Sequence, residues 1–154
     1  MRVRSTVKAV ILNDGKILMN KCNDEIYGDY YALPGGGQNP NEPLEDAIVR
    51  EIHEETGYSI RPVRLNAVFE SIRTDEFYVN LYPNLTHKLI LIFRCELDGT
   101  AQHAPTEMDI HQTGLEWIPI DRLGEYHIAP DLISRRLKDV IASEETLFLG
   151  VNRK

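Results

Sequence analysis

The sequence predicts an α/β fold, a mixed β-sheet sandwiched between helices, on three observations. Stretches rich in β-branched residues end in turn signals, as where Val3 to Asn13 runs into Asn13-Asp14-Gly15. Apolar residues recur at helical spacing in two stretches, ending at Thr56 and at Ala142. Strands and helices alternate irregularly, which favours a mixed sheet with helices on its faces. At 154 residues the chain has the length of one domain.

Taken in order, Val3 to Asn13 and Lys16 to Lys21 read as a hairpin joined by the Asp14-Gly15 turn. Asp24 to Tyr30 is a polar loop, Tyr31-Ala32-Leu33 a short extended piece, and Gly35 to Asn41 a loop. A helix should begin near Asn41 to Pro43, where asparagine can cap and proline suits the first turn. It should end at Thr56, with Gly57 as a left-handed cap. Pro62 to Arg73 and His87 to Leu97 read as strands joined by an aromatic-rich loop. Thr100 to Gly114 is a polar connection, and Leu115 to Ile118 is another strand before Pro119. Leu132, Ile133, Leu137, Val140 and Ile141 mark an amphipathic helix over Pro130 to Ala142. Leu147 to Val151 is an apolar tail that could pack at the subunit interface of a homodimer.

Composition excludes several classes. With 42% hydrophobic and 27% charged residues the chain is neither disordered nor fibrous. Its longest strongly apolar run, Leu89 to Phe93, is far below the ~20 residues of a membrane span. Two cysteines, Cys22 and Cys95, make neither a disulfide framework nor a four-thiolate zinc site, and no signal core follows Arg2 and Arg4. The expected location is cytoplasmic. A net charge of −7 argues against broad nucleic-acid binding, so no stable nucleic-acid partner is expected.

The first helix carries the chemistry. On a wheel of about 100° per residue with Leu44 at zero, Ala47, Ile48 and Ile52 fall near roughly −60°, 40° and 80°. Glu51, Glu54 and Glu55 fall near roughly −20°, −80° and 20°, overlapping that apolar arc. A solvated acidic face would put them opposite. They are also mutual neighbours that repel, and they sit in the last turns, where the helix dipole disfavours negative charge. A bound cation would remove these penalties. All-oxygen ligands favour a hard ion, Mg²⁺ or Mn²⁺, over zinc. Arg50 could pair with a carboxylate and fix its rotamer. The run Gly35-Gly36-Gly37 just before the helix suggests phosphate chemistry in this setting, although such a run alone is more often a turn than a ligand site.

Together these residues resemble the Nudix box, G-x5-E-x7-R-E-U-x-E-E-x-G-U with U bulky and apolar. Gly36, Glu42, Arg50, Glu51, Ile52, Glu54, Glu55 and Gly57 occupy its positions, and Tyr58 stands where an aliphatic residue is usual. Tyr31 to Gly36 is similar to the family's lead-in, with Tyr31 replacing tryptophan. The resemblance implies the Nudix α/β/α sandwich over residues 1–154. It also implies MutT-like, Mg²⁺- or Mn²⁺-dependent hydrolysis of a pyrophosphate linkage in a small nucleoside di- or triphosphate derivative. Glu51, Glu54 and Glu55, with the Gly36 carbonyl, would then be metal ligands. Arg50 would orient the glutamates, and Glu42 would support the loop–helix junction or the metal shell.

Glu51 is the first candidate for the general base, with Glu107 and Asp109 of the polar connection as alternatives. Phe77, Tyr78 and Tyr82 could stack on a nucleobase and Arg73 could meet a phosphate; the other reading is a structural cluster under a long loop. The resemblance implies a proline beyond the box in ADP-ribose subclasses, where this chain has Arg73, and a tyrosine shortly after that point in dinucleoside polyphosphate subclasses, for which Tyr78 lies too far on. A nucleotide-sensing module and an RNA-end pyrophosphohydrolase are the other readings. The first would have lost box carboxylates, and the second would carry a basic stripe.

Overall fold

The structure, a computed structural model, describes residues 2–154. Among them the elements run β1 (Arg4–Asn13), β2 (Lys16–Asp24), β3 (Gly28–Ala32), β4 (Gly35–Gly37), α1 (Leu44–Thr56) and β5 (Tyr58–Ile72). They continue as α2 (Glu76–Leu81), β6 (His87–Gln102), β7 (Gln112–Pro119), α3 (Asp131–Ala142) and β8 (Leu147–Arg153). No helix among these residues is long and apolar enough to cross a membrane.

β1 and β2 form the expected hairpin. Leu12 pairs with Ile17 and Asn13 with Lys16, which leaves Asp14 and Gly15 as a two-residue loop with φ of 51° and 71°. Two successive positive φ values make a type I′ turn, whose twist suits paired strands.

The sheet divides at β1. One edge runs parallel to β6, from Arg4 opposite Lys88 to Ile11 opposite Cys95. On the other edge Leu12 and Asn13 meet β2, whereas Thr6 to Lys8 pair with β4. The strand order is β3-β2-β1-β6-β5-β8, with β4 on β1 and β7 on β2. Hence the glycine run expected as a loop is a short strand lodged where β1 and β2 part. Only glycine permits this approach: a Cβ on Gly35 would lie 2.0 Å from the Val7 carbonyl oxygen.

Alternation along β1 assigns its two faces. Val7, Ala9 and Ile11 pack with Ala47, Ile48 and Ile52 of α1. Val10 packs on the other face with Leu132, Ile133, Leu137 and Val140 of α3. The mixed sheet between helices is therefore the observed fold class. The C-terminal end of α3 is held by side chains from the sheet. Arg94 donates to the Val140 and Ile141 carbonyls at 3.2 and 2.6 Å, and buried Asn66 donates to Val140 at 3.0 Å.

Several expectations need correcting. Asn41 does not cap α1; it adopts a left-handed φ of 64°, and the N-cap is Pro43, with no side-chain cap bond. Tyr31 and Ala32 belong to a longer strand, β3, that pairs with β2 across much of the expected polar loop. β5 and β6 extend beyond Pro62 to Arg73 and His87 to Leu97, because they pair along their length as far as Tyr58 opposite Gln102. The aromatic loop contains α2, capped by the Asp75 side chain accepting from the Tyr78 amide. Leu147 to Val151 is no free tail, since β8 pairs in parallel with β5 and buries Leu149. Phe148 and Val151 stay exposed on that edge strand.

Candidate active site

α1 ends in a cap that its sequence dictates: Gly57 has φ 76° and donates to the His53 carbonyl at 2.9 Å. The cap also anchors the chain beyond β6. The His103 amide donates to the Gly57 carbonyl, and those of Thr106 and Glu107 to the Glu54 carbonyl, at 2.9 to 3.0 Å. The acidic end of α1 thus faces both β4 and the 103–111 loop.

Arg50 organises this end, with all five guanidinium N–H groups engaged. It forms a paired contact with Glu42 at 2.7 and 2.9 Å and reaches the Gly37 carbonyl at 3.0 Å. Its Nη1 bridges Glu51 at 2.8 Å and Glu54 at 3.1 Å. The guanidinium holds the Glu42 carboxyl down at about 2, aided by the Asn39 amide. Burial instead pushes the Glu51 carboxyl up, against the pull of Arg50.

Glu55 sits deeper, 2% exposed. One oxygen accepts from Asn20 Nδ2 at 2.9 Å and the other from the Gly35 amide at 2.8 Å. Burial raises its carboxyl to about 7, although Lys8 opposes this. The buried Asn20 Oδ1 has no partner.

These donors suit a hard cation in kind, being carboxylates beside a backbone that only glycine allows so close. A Cβ on Gly36 would lie 2.4 Å from Glu51 Oε2. As they stand, Glu51 and Glu54 are gathered around a cation already, the Arg50 guanidinium, while Glu55 bonds Asn20 and Gly35. No three His, Cys, Asp or Glu side chains among the described residues converge as a metal cage.

The site opens into a cleft of about 720 Å³ on the α3 face of the sheet. One end is lined by Gly36, Gly37, Arg50, Glu51 and Glu54, and the other by Tyr27, Tyr30, Arg73 and Tyr78. Glu107 and Asp109 are exposed residues at its rim.

Arg73 is more committed than its sequence position suggests. It is 6% exposed, bonded to Asp75 at 2.8 and 3.1 Å and to the Tyr27 hydroxyl at 3.2 Å. Its guanidinium carbon lies 4.1 Å from the Tyr78 ring centroid and 5.9 Å from that of Tyr27. Tyr78 faces the cleft, Tyr82 faces a smaller pocket with His111, and Phe77 is exposed.

Sequence reasoning missed the cations of the cleft floor, Arg4, Lys8 and Lys88, together with Asn20 and Tyr27. A signal existed. Arg4, Thr6 and Lys8 alternate with Val7, Ala9 and Ile11, marking one polar face on an otherwise apolar strand.

Comparison with known proteins agrees with this geometry. The NUDIX domain matches residues 2–140. Nucleoside triphosphatase NudI of Escherichia fergusonii is 28% identical over 130 residues, 83% of this chain and 90% of that protein. NudI of Escherichia coli O1:K1 is 34% identical over 99 residues, 62% of this chain and 70% of that protein. A NUDIX hydrolase from Nitrosomonas europaea superposes with a TM-score of 0.73 at 22% identity, over 94% of this chain and 93% of that one. A MutT protein from Bacillus halodurans gives 0.70 at 20% identity, over 98% and 90% of the two chains. With the box glutamates gathered at one end of a cleft and the domain matched along most of its length, the chain belongs to the Nudix family and is a Nudix pyrophosphohydrolase.

Proposed function

We propose that the protein hydrolyses the pyrophosphate linkage of a nucleoside di- or triphosphate derivative, releasing a nucleoside monophosphate, with Mg²⁺ or Mn²⁺. The observation that supports this most is the Arg50-centred carboxylate cluster at one end of a cleft whose other end is aromatic. Glu51, Glu54 and Glu55, with the Gly36 carbonyl, would hold the ion. Glu55 keeps accepting capacity after its bonds to Asn20 and Gly35, because each carboxylate oxygen has two lone pairs. A divalent ion there supplies charge neutralisation of the phosphates and acidifies bound water.

The remaining steps belong to the chain. Glu51, partly desolvated and held by Arg50, accepts the proton of the attacking water. Arg50 fixes the rotamers of Glu51 and Glu54 through one nitrogen, and Glu42 fixes Arg50. Tyr78, backed by Arg73, offers the wall against which a nucleobase stacks. The cell compartment follows the same reading and is cytoplasmic.

The test is a screen of nucleoside triphosphates, ADP-ribose, nucleotide sugars and dinucleoside polyphosphates with and without Mg²⁺, run beside Glu54→Gln. Metal-dependent cleavage of one class, reduced by orders of magnitude in the variant with its fold intact, is the expected result. Undiminished turnover in the variant removes the metal-site assignment. Tight nucleotide binding with no cleavage replaces the enzyme by a sensing module. For the base, Glu51→Gln is compared with Glu107→Gln and Asp109→Asn. The variant whose pH–rate profile no longer shows the titration of the base identifies it.

A further inference from the structure

The glycine strand β4 separates charges of opposite sign. The Cβ that Gly36 lacks would meet the Glu51 carboxylate, while the one Gly37 lacks would lie 2.3 Å from an Arg4 guanidinium nitrogen. Lys8 donates to the Gly35 carbonyl at 3.0 Å. Carboxylates and cations therefore approach the same three residues, which carry no side chains to keep them apart.

The cations form a group on the sheet floor. Arg4 pairs with Lys88 and Lys88 with Ser71, so their side chains share a face across three strands. Thr6 and Lys8 continue that face along β1. Among the described residues none of Arg4, Lys8 and Lys88 takes part in an ion pair. Burial, and then the charges of Lys8, Arg4 and Arg73, press the Lys88 ammonium down to about 8; Asp109 at the rim opposes them. Lys8 and Lys88 are half-buried and Arg4 is exposed beside them; like charges clustered at such a place are unfavourable unless an anion lies among them.

We propose that Arg4, Lys8 and Lys88 are the phosphate-binding side of the cleft and select for a longer polyphosphate chain. They favour a nucleoside triphosphate over a nucleoside diphosphate esterified to an uncharged group. This rests on the pyrophosphohydrolase reading above and adds which linkage-bearing substrate fits. Lys8 stands beside the glutamates, bonded to the carbonyl of Gly35, whose amide Glu55 holds. Arg4 reaches the backbone of Gly37, and Lys88 stands opposite Arg4 on β6, so a terminal phosphate beyond the glycine strand would lie between these two cations. An uncharged sugar at that place would leave half-buried Lys88 without an anion.

The experiment compares the wild-type chain with Lys88→Gln and Arg4→Gln on a nucleoside triphosphate and on a nucleotide sugar, both with Mg²⁺. Binding of inorganic tripolyphosphate to the metal-free proteins is measured in parallel by calorimetry. Removing a charge-assisted hydrogen bond to the terminal phosphate should lower kcat/KM for the triphosphate about tenfold or more, and the nucleotide sugar by much less. Tripolyphosphate affinity should fall by a similar factor. Equal losses on both substrates, or unaltered tripolyphosphate binding, would overturn the proposal. If the wild-type chain cleaves no nucleotide, the functional reading fails separately, and the tripolyphosphate titration still decides whether these cations bind phosphate. Circular dichroism of each variant distinguishes unfolding from the removal of one cation in a folded chain.

Discussion

Glu55 projects from α1 into the sheet, where burial holds its carboxyl near 7 against an ordinary 4.5. In the unfolded chain the group returns to its ordinary range, so between those two values the folded chain binds more protons than the unfolded one. Stability is therefore full below about 4.5, falls as pH rises through the window, and levels off above about 7. The loss is on the order of 3 kcal/mol in the absence of divalent ions. Glu55→Gln should abolish this component. Its amide can keep the Gly35 bond with its oxygen and donate to Asn20, whose orphaned Oδ1 turns toward it when the amide rotates. Thermal denaturation in chelator at pH 5 and pH 8 checks the point: the wild type should lose stability on going to pH 8 and the variant should lose clearly less, since the raised Glu51 carboxyl still contributes. The overlap of Glu55 with the apolar arc was legible in sequence. The partner that makes burial tolerable, Asn20, was not, because it comes from a strand 35 residues away.

The elements read most directly were those whose stability is local. α1 and α3 carry helical periodicity, α1 stops at a glycine, and the Asp14-Gly15 turn has the residues its dihedrals need. β4 has no local reason to be a strand: three glycines extend there only because β1 offers an edge and side chains would not fit. β8 was obscured by Gly150, which adopts φ 90° near a register shift opposite Val68 and Phe69 and interrupts the alternation of buried and exposed residues. Gly57 ties the local and tertiary levels together, and so gives a test at this scale. Alanine there must take a left-handed conformation and place its Cβ 1.7 Å from the His103 carbonyl oxygen, which is backbone and cannot rotate away. Gly57→Ala should cost at least about 2 kcal/mol in urea denaturation. Because His103 leads into the loop bonded to the Glu54 carbonyl, activity in the folded fraction should fall as well. A variant with wild-type stability would mean that the 103–111 loop does not lean on this cap.

For the molecule as a whole, a net charge of −7 conceals a cleft that is acidic at α1 and basic on the sheet floor. The acidic half was readable because its carboxylates lie on one helix at fixed spacing. The basic half was not, since Arg4 and Lys8 are joined to Lys88 only by the pairing of β1 with β6. This arrangement makes the metal-free chain carry its glutamates under mutual repulsion, relieved in part by Arg50. Binding of a divalent ion to the folded state, and not to the unfolded chain, must then raise stability by mass action. At an ion concentration about a hundredfold above the dissociation constant the gain is about 2.7 kcal/mol. For a chain of this length that corresponds to a Tm increase of roughly 5–10 °C. Mg²⁺ or Mn²⁺ should produce this shift, and chelator should reverse it. Glu54→Gln should shrink the shift to less than about half, because one of the carboxylates proposed to hold the ion becomes a neutral amide. An equal shift in wild type and variant would place the ion elsewhere on this acidic protein. Lys88→Gln offers the complementary check: it leaves the carboxylates untouched, so its Mg²⁺-induced shift should match the wild type even where its binding of tripolyphosphate is impaired.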